Sequence, residues 1–106
     1  MDKKEIFIEA IQGKKIVKVK VNSYEKGIIE RYCIPYDYGI SRIYKDGKNR
    51  FHFYDLDSPD GEHNLSILPE QLIEIEITED LFEPKDYVTW DPPYKWFIER
   101  DWGEYS

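Results

Sequence analysis

Hydrophobic residues recur along this chain with two different periods, and each period predicts a different kind of element. Within residues 2–12 the apolar side chains fall on one helical face, at Ile6, Phe7, Ala10 and Ile11. This spacing predicts a short amphipathic helix. Asp2 stands where its carboxylate can accept hydrogen bonds from the free N–H groups of the first turn. Gly13 is predicted to take the left-handed position that ends many helices.

The later segments are short, rich in β-branched or aromatic residues and bounded by turn residues, which is typical of strands. The clearest segment alternates Val17, Val19 and Val21 with lysines, so that the valines face the core. The predicted strands are residues 16–22, 28–34, 40–44, 49–56, 63–68 and 73–77. Pro35 is predicted to end the second strand because proline cannot donate to a ladder, and residues 36–39 are predicted to form a loop.

Turn residues separate these strands. Asp46 and Gly47 suit the tip of a hairpin between residues 40–44 and 49–56, since both central residues of such a turn need positive φ. Residues 58–61, Ser-Pro-Asp-Gly, predict a second turn. Residues 69–72 are predicted to form one helical turn before the last strand.

The order of these elements predicts a mainly β (α+β) fold: a small SH3- or Sm-like barrel of five to six strands with one N-terminal helix. Closure of such a sheet removes the exposed edges that invite aggregation. An open half-barrel gives the same pattern, and the sequence leaves both open. With 106 residues the chain is expected to form one domain. Residues 1–82 are predicted to hold the helix and barrel, and residues 83–106 an aromatic extension packed on the same domain.

This C-terminal extension holds all three tryptophans of the chain and is interrupted by Pro84, Pro92 and Pro93. The favoured prediction is that it wraps the barrel and closes one end of the core, with Arg100 and Asp101 paired across a turn. The alternative is a self-association surface or ligand groove, because Trp, Tyr and Arg dominate binding energies at interfaces. The predicted interaction surface comprises Trp90, Tyr94, Trp96, Arg100 and Trp102.

Charge is distributed unevenly around a net value of −7. Residues 1–50 hold 12 Lys and Arg against 7 Asp and Glu, whereas residues 51–106 hold 3 against 15. The favoured interpretation is that the two halves neutralise each other in the fold. The alternative is a basic face able to attract an anionic partner.

Several functional classes are disfavoured by the composition. A single cysteine, Cys33, excludes an internal disulfide and a Cys-based zinc site. The histidines, His52 and His63, match no metal-binding spacing, and the chain lacks a glycine-rich phosphate loop. We therefore expect a non-enzymatic protein without a cofactor. The chain also lacks an apolar stretch of about 18 residues, so no membrane association and a cytoplasmic location are expected.

A cluster of cationic and aromatic residues around the predicted hairpin is the best candidate for a ligand site. Guanidinium groups bind phosphate and tyrosine rings stack on bases, as in proteins that bind single-stranded nucleic acid. The alternative is an exposed sheet face with ordinary cross-strand pairs. The predicted ligand-binding residues are Arg31, Arg42, Tyr44, Arg50, His52 and Tyr54.

Over roughly residues 6–82 the chain resembles the WYL domain, a bacterial Sm-like barrel. The resemblance rests on a helix ending in residues 11–15 (IQGKK), on Arg31 and Pro35, on residues 50–56 (RFHFYDL) and 68–73 (LPEQLI), and on Phe82. The Trp-Tyr-Leu triplet itself is absent. His63, Asn64 and Ser66 stand where the family has arginines.

WYL domains are regulatory modules that are thought to sense nucleic acid or nucleotide-type ligands through basic and aromatic residues. The resemblance thus implies a sensing role. Two functions are therefore predicted. The first is a non-enzymatic protein-interaction or self-association module, whose partner is a second copy or another protein. The alternative is a WYL-like sensing module that binds nucleotide or single-stranded nucleic acid through the cation–aromatic cluster.

Overall fold

A computed structural model of the chain describes residues 2–41, 44–57, 63–89 and 92–106. It contains one α-helix, α1 (Lys3–Gly13), and the strands β1 (Lys15–Asn22), β2 (Ile28–Ile40), β3 (Asn49–Asp55), β4 (His63–Ile67) and β5 (Leu72–Leu81). Single 3-10 turns lie at Pro69–Gln71, Pro84–Asp86 and Gly103–Tyr105. The predicted turn at residues 58–61 lies outside the described residues.

The strands form one antiparallel sheet in the order β4-β3-β2-β1-β5. The predicted mainly β (α+β), barrel-like fold with an N-terminal helix is confirmed, with five strands. Within the described residues β4 and β5 are the outer strands of this order. The helical turn Pro69–Gln71 joins them, as predicted.

Helix α1 begins as predicted and ends one residue later. The Glu5 N–H donates to the Asp2 carboxylate at 2.8 Å. At the C-terminal end Lys14, not Gly13, adopts the left-handed conformation, with φ 55° and ψ 45°. The prediction for Gly13 was wrong because tertiary contacts fix Lys14: its carbonyl accepts a hydrogen bond from the Phe82 N–H at 2.9 Å.

The core lies between α1 and one face of the sheet. Phe7 is fully buried and meets Phe51 and Phe53 edge-on, at centroid distances of 5.0 and 5.2 Å. Such aromatic pairs contribute about 0.5–1.5 kcal/mol beyond the area they bury. Val17, Val19 and Val21 are buried beside them, as their alternation with lysine predicts.

Strand β2 is one continuous strand of 13 residues, which corrects two predictions. Pro35 does not end it, and residues 36–39 are not a loop. Pairing between β1 and β2 ends at Val17 and Cys33, so the N–H that proline lacks is not needed by β1. A register shift between Pro35 and Asp37 carries β2 onward beside β3. The hairpin partner of β3 is therefore the second half of β2.

The C-terminal extension covers one end of the sheet, with three of its apolar side chains buried: Val88, Ile98 and Trp102. The Trp102 indole N–H donates to the Ile11 carbonyl at 2.9 Å, which joins the extension to the end of α1. The Trp96 indole N–H donates to the Tyr105 carbonyl at 3.0 Å. Aromatic rings and hydrogen bonds therefore hold the extension without a strand in residues 94–99.

Asp37 fixes the middle of this extension. Its carboxylate accepts hydrogen bonds from the Phe97 and Ile98 N–H groups, each at 3.1 Å, and pairs with Arg100 at 3.5 Å. The Arg100 guanidinium packs against both Trp96 and Trp102, at 4.0 and 4.3 Å from their ring centroids. The predicted pairing of Arg100 with Asp101 was wrong because Asp37, distant in sequence, supplies the carboxylate.

Among the described residues, two ion pairs join cations of the basic first half of the chain to carboxylates of the acidic second half, whereas others, such as Lys18 with Glu30, lie within the first half. The Lys20 Nζ lies 3.8 Å from the Glu74 carboxylate on the neighbouring strand, and the Arg31 Nε lies 3.5 Å from the Asp55 carboxylate. These pairs agree with the interpretation that the halves neutralise each other. In the part of the chain described, no helix has the length and apolar composition needed to cross a bilayer.

Candidate anion-binding groove

A groove of about 480 Å³ opens between the β1–β2 turn and the strands β3 and β4. It contains three of the predicted ligand-binding residues, Arg31, Tyr44 and Arg50. The sheet brings them together from the first half of β2, the hairpin tip and the start of β3. The other side chains that matter for its chemistry are Tyr24, Asp55 and Asn64.

Arg31 reaches the groove from the buried face of the sheet, since its register partner on β1 is the core residue Val19. Its Nη1 donates to the Glu30 carbonyl at 3.0 Å. Its Nε lies 3.5 Å from the Asp55 carboxylate but without hydrogen-bond geometry, so this buried nitrogen has no acceptor among the described residues. Arg31 is therefore held in place while one of its N–H groups stays unsatisfied.

Arg50, near the start of the inner strand β3, is only 9% exposed, which is unusual for a cation. Its Nη2 pairs with Asp46 at 3.0 Å, and its Nη1 donates to the Ser66 carbonyl at 3.4 Å. Its guanidinium lies 4.1 Å from the centroid of the Tyr44 ring. The buried Nε of Arg50 also has no acceptor in the described part of the chain.

Carboxylates around the groove position the arginines. The Lys48 N–H and the Arg50 side chain both donate hydrogen bonds to Asp46. These bonds, first that of Lys48, lower the pKa of the Asp46 carboxyl, which keeps it charged beside Arg50. Asp55 is buried and accepts from the Asp57 N–H at 2.9 Å while it faces Arg31. Both arginines are therefore oriented before any ligand arrives, which is the arrangement that binding sites favour.

Two other predicted ligand-binding residues, His52 and Tyr54, do not line the groove. His52 is buried, with Nδ1 at 2.8 Å from Ser66 Oγ and Nε2 at 3.0 Å from the Gly39 carbonyl. Burial lowers the pKa of His52, so the imidazole is neutral at pH 7. Tyr54 meets the Tyr87 ring edge-on at 5.1 Å. Arg42 lies outside the described residues.

The predicted interaction surface is largely used within the fold. Trp102 is buried, and Tyr94 and Trp96 are half-buried and stacked at 5.9 Å. The Arg100 side chain is almost fully buried in its pair with Asp37. Trp90 lies outside the described residues.

Two exposed aromatic residues were missed by the sequence reasoning. Tyr24 is 63% exposed in a segment predicted only as a turn. Phe97 is 64% exposed, and its ring covers Gly39. The sequence around Tyr24 indicated only a turn. The contact of Phe97 with Gly39 joins residues that are distant in sequence, so the sequence could not indicate it.

Cys33 offers no nucleophile. The residue is fully buried, and this burial raises the pKa of its thiol well above the usual range. The neighbouring carboxylates of Asp55 and Asp57 raise it further. A thiol that stays protonated is a poor nucleophile, which leaves this side chain as part of the core.

The fold of this chain is similar to that of part of a known protein. No family model matches the chain, and no curated protein matches it significantly. A structure of proteasome accessory factor B/C (PafBC) of Arthrobacter aurescens is similar, with a TM-score of 0.59 and 17% sequence identity. The match covers 84% of this chain and 13% of that one, so the chain spans a small part of PafBC. At this identity the likeness shows a shared fold.

Proposed function

We propose that the protein is a non-enzymatic sensing module that binds an anionic ligand of nucleotide or single-stranded nucleic acid type in the groove. The observation that carries this proposal is the convergence of Arg31 and Arg50 on one groove, each with a buried Nε that lacks an acceptor among the described residues.

Unsatisfied buried donors favour an anion here. Leaving a buried donor unpaired costs about 1–3 kcal/mol, and more for a charged group. A phosphate oxygen supplies the missing acceptor once the guanidinium turns slightly, and guanidinium–phosphate hydrogen bonds are strong because both partners are charged. Two carboxylates line the groove. Asp55 faces Arg31 and accepts from the Asp57 N–H, whereas Glu25 is exposed to solvent.

The resemblance to WYL domains agrees with this ligand class. Those domains are thought to use basic and aromatic residues for nucleotide-type ligands, and the groove combines Arg31 and Arg50 with Tyr24 and Tyr44. The structural likeness to PafBC supports the fold on which this comparison rests. The ligand itself is inferred from the groove and not from PafBC.

The test is a binding titration of adenosine 5′-monophosphate and a short single-stranded oligonucleotide at low and moderate salt. We expect Arg31→Gln and Arg50→Gln each to weaken binding about tenfold or more, because each removes one charged hydrogen-bond donor group worth about 1.5–3 kcal/mol. Lys85→Gln is the matched control, since this exposed cation does not line the groove. Affinity should also fall as salt rises. Equal affinity of the arginine variants and the parent protein would refute the proposal.

A second candidate function is self-association through the side of the sheet that faces the C-terminal extension. Phe97 and Ile40 are 64% and 51% exposed and border one cleft there. Exposed neighbouring apolar side chains are typical of interaction sites. This candidate predicts a dimer that Phe97→Ser converts to a monomer, as measured by light scattering. A parent protein that is monomeric at high concentration would contradict it.

A further inference from the structure

We propose that Tyr24 is the specificity-determining residue of the groove, and that its ring stacks on the planar base of a ligand whose phosphate is bound by Arg31 and Arg50. This inference rests on the proposed function and extends it from an anion to an anion that carries a flat aromatic group.

The backbone of Tyr24 adopts a conformation that disfavours a tyrosine. Its φ is 65°, in the left-handed region where Gly, Asn and Asp are the usual residues. Hydrogen bonds fix this conformation: the Tyr24 N–H donates to Asn22 Oδ1 at 3.1 Å, and the Lys26 N–H donates to Ser23 Oγ at 2.7 Å. A bulky residue held in such a position often serves a function.

The Tyr24 ring contributes little to the stability of the fold. The residue is 63% exposed, so little of its apolar surface is removed from water. Within the described ranges the ring has no aromatic or cationic partner. What the ring does is border the groove that contains Arg31 and Arg50. Stability therefore does not explain the left-handed backbone and the exposed ring of Tyr24, whereas contact with a ligand does.

The other tyrosine of the groove, Tyr44, already contacts an arginine. The Arg50 guanidinium covers the Tyr44 ring at 4.1 Å from its centroid. One face of that ring is thus used to position the cation. Tyr24 is the groove aromatic with no such contact among the described residues, and it is available to stack on a base.

The size and composition of the groove suit a mononucleotide unit. Its volume of about 480 Å³ lies within the range of about 300–1,000 Å³ typical of small-molecule sites. Bases stack on aromatic side chains with little dependence on sequence because every base has a π face. The groove also includes the amide of Asn64, which suits a sugar or a base edge.

The experiment compares three probes on the full chain: inorganic phosphate, ribose 5-phosphate and adenosine 5′-monophosphate. Tyr24→Asn removes the ring and keeps a residue that tolerates positive φ, and Tyr24→Phe keeps the ring. Tyr32→Asn is the matched control, since Tyr32 is exposed but does not line the groove. We expect the parent protein to bind the adenosine ligand about tenfold more tightly than ribose 5-phosphate. Tyr24→Asn should abolish this preference, and Tyr24→Phe and Tyr32→Asn should retain it.

The outcomes separate the two proposals. If the phosphate ligands bind with dependence on Arg31 and Arg50, but the base adds no affinity or Tyr24→Asn leaves the preference intact, the role of Tyr24 is refuted and the anion site stands. If none of the three probes binds, or binding ignores both arginines, the proposed function itself fails.

Discussion

Individual polar side chains in this protein are fixed by partners that are distant in sequence. His52 shows the consequence of such burial most clearly. Its ring stacks near Tyr36 and faces Asp37, both on β2, and it lies near Arg50 on its own strand, so its protonation depends on both β2 and β3. Burial dominates these effects and lowers the pKa of the imidazole.

This shift predicts a pH dependence of stability. Because the folded pKa of His52 lies below its unfolded value of about 6.5, the unfolded chain binds the proton first as the pH falls. The contribution of His52 is therefore fully present at neutral pH and is lost progressively as the pH falls below about 6.5.

Urea unfolding at pH 7 and pH 5 measures this effect. The free energy of unfolding should fall more steeply in the parent protein than in His52→Gln, since only the parent holds the imidazole. The same change with pH in both proteins would show that His52 titrates alike in the folded and unfolded chains.

At the scale of elements, Gly39 is the point where strand β2 meets the C-terminal extension. A Cβ on Gly39 would lie 2.3 Å from Cδ2 and 2.7 Å from Cγ of Phe97. These atoms are near the root of the ring, and Asp37 fixes the Phe97 backbone through its N–H. Neither partner can therefore move without disturbing the extension.

We predict that Gly39→Ala lowers the free energy of unfolding by about 1–3 kcal/mol, as overpacking commonly does. Gly13→Ala is the matched control, because a Cβ there meets only the Lys15 side chain at 3.5 Å. The loss should be smaller in the background Phe97→Ala, where the obstructing ring is gone. Chemical denaturation of the parent, the three single variants and the double variant gives these values, and equal losses in both backgrounds would contradict the contact.

The sequence predicted those elements whose signals are local. The alternation of Val17, Val19 and Val21 predicted β1, and the helical spacing around Phe7 predicted α1. The continuity of β2 through Pro35 was not predictable, because it depends on where pairing with β1 ends. In the same way, the partner of Arg100 depends on a contact with Asp37 across 63 positions of sequence.

The sequence could indicate only part of the candidate site, because contacts between residues distant in sequence decide which side chains meet. Arg31, Tyr44 and Arg50 are close in the fold, as the cluster on the sequence indicated. His52 and Tyr54 belong to other contacts, since strand register and the covering extension decide which side chains meet. Tyr24 had no local signal beyond its turn.

At the scale of the whole molecule, the proposed ligand-binding surface is the groove and not the C-terminal extension. Lys20 is an example of a cation that is paired elsewhere, with Glu74. Beside the groove, Arg31 and Arg50 keep unsatisfied donors, whereas the unsatisfied Nη1 of Arg100 belongs to a guanidinium that already packs against Trp96 and Trp102. An anionic ligand should therefore affect one face of the molecule.

The most direct measurement is a nuclear magnetic resonance titration of backbone amide signals with adenosine 5′-monophosphate. We predict saturable shifts in residues 23–31, 44–50 and 64–68, which surround the groove, with residues 94–102 little changed. Signals that stay unchanged throughout, or shifts confined to residues 94–102, would contradict binding of the ligand in the groove.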